Sequence, residues 1–205
     1  MPDLPPPVPA IEIVVSSTGM SKGLAQTDGP QFLARGEVAI GTVYAGAYVK
    51  NVTSTSADGE AAAIVGLRKS VAGFDFTVSA AWKRAVDPAA GSDASALEVN
   101  GTISRKIGRV TPRLAVTWSP DDLGSTERTT FAEASVAYRI AERWSASTAL
   151  GRRERTGGPD YTAWNAGVAW NRVKPLALDL RYYDTNGADE FAFRKRLVLS
   201  ARLKF

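Results

Sequence analysis

The stretch "FAFRKRLVLSARLKF", Phe191 to Phe205, decides how the chain is read. In a helix its polar and apolar residues would scatter around the circumference. In a strand, where side chains alternate between faces, they sort cleanly. Leu197, Leu199, Ala201, Leu203 and Phe205 fall on one face, and Arg194, Arg196, Ser200, Arg202 and Lys204 on the other, with Val198 the apolar exception. A soluble sheet would also tolerate one greasy and one charged face, so the reading depends on whether the rest of the chain repeats the pattern.

It does. From Ile11 onward about twelve segments of roughly ten residues alternate in this way, each bounded by turn chemistry. In "FDFTVSAAWKR", Phe74, Phe76, Val78, Ala80 and Trp82 oppose Asp75, Thr77, Ser79 and Lys83. In "RVTPRLAVTWS", Val110, Pro112, Leu114, Val116 and Trp118 oppose Arg109, Thr111, Arg113, Thr117 and Ser119. In "LALDLRYYD", Leu176, Leu178, Leu180 and Tyr182 oppose Asp179, Arg181 and Tyr183.

The connections fall into two alternating kinds. Tight ones are "IGTV" (Ile40 to Val43), "SVAG" (Ser70 to Gly73), "KIGR" (Lys106 to Arg109), "IAER" (Ile140 to Arg143) and "RVKP" (Arg172 to Pro175). Longer polar ones are "SKGLAQTDGP", "TSTSADG", "VDPAAGSD", "PDDLGSTE", "RTGGPD" and "DTNGADE". Five short turns and six long loops make twelve strands, an up-and-down meander whose two ends face different surroundings. The fold class expected is therefore all-β: a transmembrane, up-and-down antiparallel β-barrel of about 12 strands over residues 11–205, preceded by a proline-rich leader, "MPDLPPPVPA", residues 1–10.

Composition limits the alternatives. A 44% hydrophobic content is ordinary for a folded chain, and no run of 18 apolar residues offers a membrane-spanning helix, a limit that does not touch barrels. Cys and His are both absent, which removes disulfides, thiolate nucleophiles and the commonest general base and metal ligand. No cofactor, metal or enzymatic activity is expected. Asp121 and Asp122 read as solvated loop polarity rather than a catalytic dyad, and "DTNGADE" lacks the ligand ladder of an EF-hand. A net charge of +4 without a concentrated basic patch does not point to nucleic acid.

Twelve strands enclose more space than faces rich in Ala and Val can fill, so the charged face is placed inward and the apolar face toward lipid. The outward set then carries Trp82, Trp118, Trp144, Trp164, Trp170, Tyr138, Tyr182 and Phe205 mostly near strand ends, as interface girdles do. Alternation makes the pore lining Arg35, Glu37, Lys50, Glu60, Arg68, Asp75, Lys83, Glu98 and Arg113 in the first half of the chain. In the second half it adds Glu133, Arg139, Arg153, Asp179, Arg181, Arg194, Arg196 and Arg202. Eleven cations against six acids favour anionic solutes in a confined pore. The same charges could instead pair across strands and fill the interior.

The stretch "KGLAQTDGPQFLARGEVAIGTVYAGAYVKNV", Lys22 to Val52, resembles the start of the TorF family of porins, with its Arg-Gly, Gln-Thr-Asp-Gly-like and Tyr-Ala-Gly elements. The segment "ALEVNGTISRKIGRVTPRLAVTWSPDDLG", Ala96 to Gly124, echoes the family's glutamate-bearing strand followed by a strand ending in Ser-Pro. Thr18 and Gly19 stand where the family has Asp-Tyr, and Lys22 where it has arginine. The resemblance implies a barrel in the outer membrane of Gram-negative bacteria, with both termini periplasmic and a terminal Phe205 serving assembly. It implies contact with the lipid bilayer and small hydrophilic solutes. An envelope protein partner is an open alternative, and the oligomeric state is unspecified.

Overall fold

In the computed structural model, which describes residues 5–53, 57–171 and 175–205, twelve strands close into an antiparallel barrel. The strands are β1 (Val8–Ser16), β4 (Gln31–Ile40), β5 (Val43–Asn51), β6 (Gly59–Val71), β7 (Phe74–Val86) and β8 (Ser95–Arg105). They continue with β9 (Val110–Asp122), β10 (Glu127–Arg139), β11 (Trp144–Arg155), β12 (Tyr161–Asn171), β13 (Leu176–Thr185) and β14 (Arg196–Lys204). Each strand pairs with its neighbour in the chain, and β1 pairs with β14 to close the sheet, so no strand edge is left unpaired. Two further short strands, β2 (Met20–Ser21) and β3 (Leu24–Ala25), form a hairpin of their own in the connection from β1 to β4.

The tight connections work through residues that accept positive φ. Between β6 and β7 both turn residues do so, Ala72 at 51° and Gly73 at 79°, the backbone twist that lets two residues join right-twisted strands. Gly41 and Gly108 take φ of 60° in the β4–β5 and β8–β9 turns. The turn read at Arg172 to Pro175 lies largely outside the described residues. Short turns gather at one end of the barrel, here the turn end, and the opposite end is the loop end.

Two boundaries differ from the reading of the sequence. Val8, Pro9 and Ala10, assigned to the leader, belong to β1, opposite Ala39, Val38 and Glu37. Proline is tolerated there for a reason of geometry. The amide of Ile11 donates toward β14, to the Phe205 carbonyl, so position 9 would point its N–H to the same side beyond Phe205, where no ladder bond is lost. Half of the segment "PDDLGSTE" is strand rather than loop, with β9 running to Asp122 and β10 starting at Glu127.

The two faces of the wall meet different surroundings. The outward face exposes large apolar residues on every strand, among them Ile13, Phe32, Val49, Leu67, Val78, Leu114, Leu150, Leu180 and Leu199. Trp82, Trp118, Trp164 and Phe32 stand toward the loop end, and Trp144, Tyr138 and Phe205 toward the turn end, all exposed. These are two aromatic belts bounding an apolar band, as expected where each ring has an apolar body and a polar edge. The residues buried in the fold are mostly small or polar and face inward, Ala62, Ala81, Ala96, Glu60, Lys83, Ser119 and Arg153 among them.

Candidate functional site: the charged lumen

Pairing registers put sixteen of the seventeen expected lining residues on the inward face. Arg194 is the exception. It lies ahead of β14, after a short 3-10 turn (Phe191–Phe193), and pairs with Asp189 in the exposed connection at 3.0 Å. The alternation read through Arg194 therefore continues past the point where the strand begins.

Toward the loop end the lumen is crowded. The Lys22 Nζ donates to Glu98 Oε2 at 2.7 Å and to Asp122 Oδ2 at 2.9 Å. Lys83 Nζ donates to the same two carboxylates, at 3.2 Å to Glu98, and Arg153 Nη2 reaches Asp122 Oδ2 at 3.2 Å. Three cations thus share two carboxylates, with Arg153 Nε also donating to Thr129 Oγ1 at 3.0 Å. Beside this cluster Lys50 pairs with Glu60 at 3.3 Å and donates to Gln26 Oε1 at 2.8 Å, while the Tyr48 hydroxyl donates to Glu60. Such density is what charges need away from bulk water, since an ion left unpaired there costs several kcal/mol.

Two members of this cluster were missed from the sequence, for different reasons. Asp122 reaches the lumen because the β9–β10 register slips by one between the pairs Ser119↔Thr129 and Asp122↔Glu127. The bulge reverses which residues face inward, burying Asp122 and leaving Asp121 exposed. Lys22 sits on the β2–β3 hairpin, which folds into the barrel instead of standing out in solvent. The hairpin is held by the Tyr161 hydroxyl, which donates to the Lys22 carbonyl at 2.7 Å, and by Leu24, packed with Tyr161, Ala163 and Phe193. Gly23, at φ 82°, lies against Ala163 so closely that a Cβ would collide with it. A loop rich in Gly, Gln and Thr gives no periodic sign of this packing.

Farther along, charges are sparser. On β4 to β6, Arg35 and Arg68 both engage Glu37, at 3.0 Å and through a two-point contact whose longer bond is 2.8 Å. The Arg68 guanidinium also lies 3.8 Å from the ring of Tyr44, which itself covers Gly66 on the neighbouring strand. Asp75 accepts from Ser70, and Arg113 stands 3.6 Å from Glu133. Arg139 lies at the turn end of β10. On the opposite wall Arg181 clamps Asp179 at 2.9 and 3.1 Å while donating to Asn165 and Ser147. Arg202 is 3.8 Å from Glu12, and Arg196 is tied to the carbonyls of Phe191 and Arg194.

The lumen is not filled. A cavity of about 310 Å³ opens at the loop end over Lys22, Lys50, Lys83 and Arg153, and one of about 390 Å³ lies on the other side of Tyr48 and Glu98, toward Arg35, Arg68 and Arg113. A third, of about 420 Å³, follows β1 and β12 to β14. It reaches from Thr18, Met20 and Gln31 near the loop end to Asn171 and Ala177 near the turn end, past Arg181, Arg202 and Tyr183. The hairpin, packed on Tyr161 and Ala163 of β12, carries its ion cluster across the loop end to β7, β8, β9 and β11, and this cavity lies beside them.

Solved structures share the architecture. The KdgM porin in complex with disordered oligogalacturonate superposes with a TM-score of 0.67 at 8% identity, covering 96% of this chain and 98% of that one. The NanC porin gives 0.63 at 8% identity, covering 95% and 98%. The COG4313 outer membrane channel from Pseudomonas putida F1 gives 0.52 at 10% identity, covering 97% and 94%. At these identities the likeness establishes the fold, a porin-type barrel of the same span. No curated protein matches the chain. A family model does match, over residues 36–204, which is most of the barrel. The chain belongs to the Gcw_chp family, described as bacterial proteins of unknown function.

Proposed function

We propose that this barrel spans a bacterial outer membrane, with its termini on the periplasmic side, and passes small hydrophilic solutes, anions preferentially. The observation that carries the reading is the cavity of about 420 Å³ running beside the inward hairpin from loop-end to turn-end residues. The wall around the lumen supports the anionic preference. With Arg194 removed and Lys22, Asp122, Glu12 and Lys204 added, inward cations still outnumber inward carboxylates. Basic rings in a confined, partly desolvated passage raise the local concentration of anions. The oligogalacturonate described with the KdgM porin supports the solute class, an acidic sugar oligomer able to pair with Arg181 and Arg202 in turn. Kinship to the TorF porins, from Lys22 to Val52, belongs to the same proposal.

A second reading has its own support. The β2–β3 hairpin and the five-residue ion cluster cross the loop end of the lumen from β12 to β7, β8, β9 and β11, as they would in a self-filled barrel that serves as a structural or partner-binding protein. Single-channel recording in a planar bilayer, with the reversal potential taken across a salt gradient, separates the two. Discrete openings with an anion-side reversal potential support the channel. Folded, inserted protein that never conducts would leave the self-filled barrel.

A further inference from the structure

The outer surface carries a feature that lumen chemistry leaves unused. At the turn end, Lys69 closes the outward face of β6 and Arg105 that of β8, while Lys106 and Arg109 line the barrel mouth beside Thr111 and Arg139, and Arg143 ends the β10–β11 turn. All five are exposed, and none forms an ion pair with a carboxylate among the described residues. The acids at this stretch of rim among the described residues are Glu142 and Asp75, which accepts from Ser70 on the lumen side. Among the described residues, the outward-facing cations of this rim lie in one sector. Across the same rim, β13, β14, β1, β4 and β5 present Leu176, Leu203, Phe205, Ile11, Ile40 and Val43 outward. The loop rim differs again, mixing Arg84, Arg128 and Arg152 with Glu127, Glu154 and Asp160, and pairing Arg152 to Asp160 at 3.0 Å.

Within the basic sector the arrangement is suited to a lipid head group. The Arg105 guanidinium lies 4.8 Å from the Phe74 ring, Phe74 is 6.3 Å from Phe76, and Phe76 is the register partner of Lys69. The two cations flank an aromatic pair from strands two spacings apart, about 10 Å. Farther down the same face, Gly101 sits between Val78 and Val116, and the space a side chain would take there is empty. The outer wall therefore has a notch directly below the cations. A phosphate held at the rim would set its acyl chains along Ile103 and into this notch, where apolar surface already faces lipid.

We propose that Lys69 and Arg105, with Phe74 and Phe76 between them, form a docking surface for an anionic glycerophospholipid of the leaflet at the turn end. The proposal rests on the barrel being membrane-spanning and is independent of whether it conducts. Two cations acting on one anionic head group give a preference over a zwitterionic lipid. The test compares nanodiscs of phosphatidylcholine alone with discs that also contain phosphatidylglycerol. The expected result is a higher melting temperature with phosphatidylglycerol, and phosphatidylglycerol retained on the protein in native mass spectrometry. The variant K69Q/R105Q should lose the shift and retain the lipid about tenfold less, while R84Q/R128Q at the loop rim keeps both. An unchanged shift in the double variant, or no preference in the parent chain, overturns the proposal. Protein that enters neither disc overturns the membrane reading itself, a failure visible before any lipid is compared.

Discussion

The loop end and the turn end of the lumen solve the same problem in opposite ways. Around the inward hairpin, Lys22, Lys83, Glu98, Asp122 and Arg153 have side chains between 6% and 15% exposed, and every one is paired. Toward the turn end, Arg68, Arg113 and Arg202 are 43% to 59% exposed, and Arg202 is only loosely opposed by Glu12. The difference is solvent. Where the hairpin excludes water, charge must be matched almost one for one. Where a passage remains, water screens the arginines and a surplus of one sign is inexpensive. A barrel can thus hold a tightly paired partition and an open cavity within a single ring of strands.

Exchanging Met20 to Ala25 for a flexible Gly/Ser segment attacks the partition directly, and a severalfold rise in single-channel conductance is the expected outcome. Unchanged conductance would mean the hairpin does not limit passage. Next in size is a stability effect. Asp122→Asn leaves Lys22, Lys83 and Arg153 facing Glu98 alone and should destabilise the folded barrel by about 3 kcal/mol in urea unfolding from lipid vesicles. The matched change at the turn end, Arg202→Ser, should cost no more than about 1 kcal/mol, as exposed pairs do. Equal losses would erase the contrast.

Selectivity should respond in the reverse sense. Arg181→Ser combined with Arg202→Ser is expected to lower the anion-to-cation permeability ratio by about twofold, read from reversal potentials. Raising the salt from 0.1 to 1 M shrinks the Debye length from about 10 to about 3 Å and should flatten that ratio in the parent chain too. The smallest effect is expected at Arg194, whose partner Asp189 lies in an exposed connection. Arg194→Ser should leave the ratio where it was, and a clear drop would place that side chain in the conduit after all.

How far the sequence could be followed depended on whether a residue obeyed the pleat. Lys83, Glu98, Arg113, Glu133 and Arg181 were legible because each sits inside a strand where the period of two is unbroken. Arg194 misled because its spacing matched β14 while its backbone belonged to the turn before it. Asp122 was hidden by a one-residue bulge, which inverts inside and outside without any change in composition. Lys22 lay in a segment whose local chemistry says only loop.

By itself the sequence determined the twelve strands, their up-and-down order and the sorting of apolar from charged faces, because each follows from alternation and turn residues within ten positions of chain. Only the tertiary structure decided that the first long connection turns inward and that Lys22 meets Glu98 and Asp122, 76 and 100 residues away. It also decided that the hairpin partitions the loop end of the lumen while a cavity remains beside it. These outcomes depend on which distant groups can satisfy a buried charge, a condition no local pattern contains.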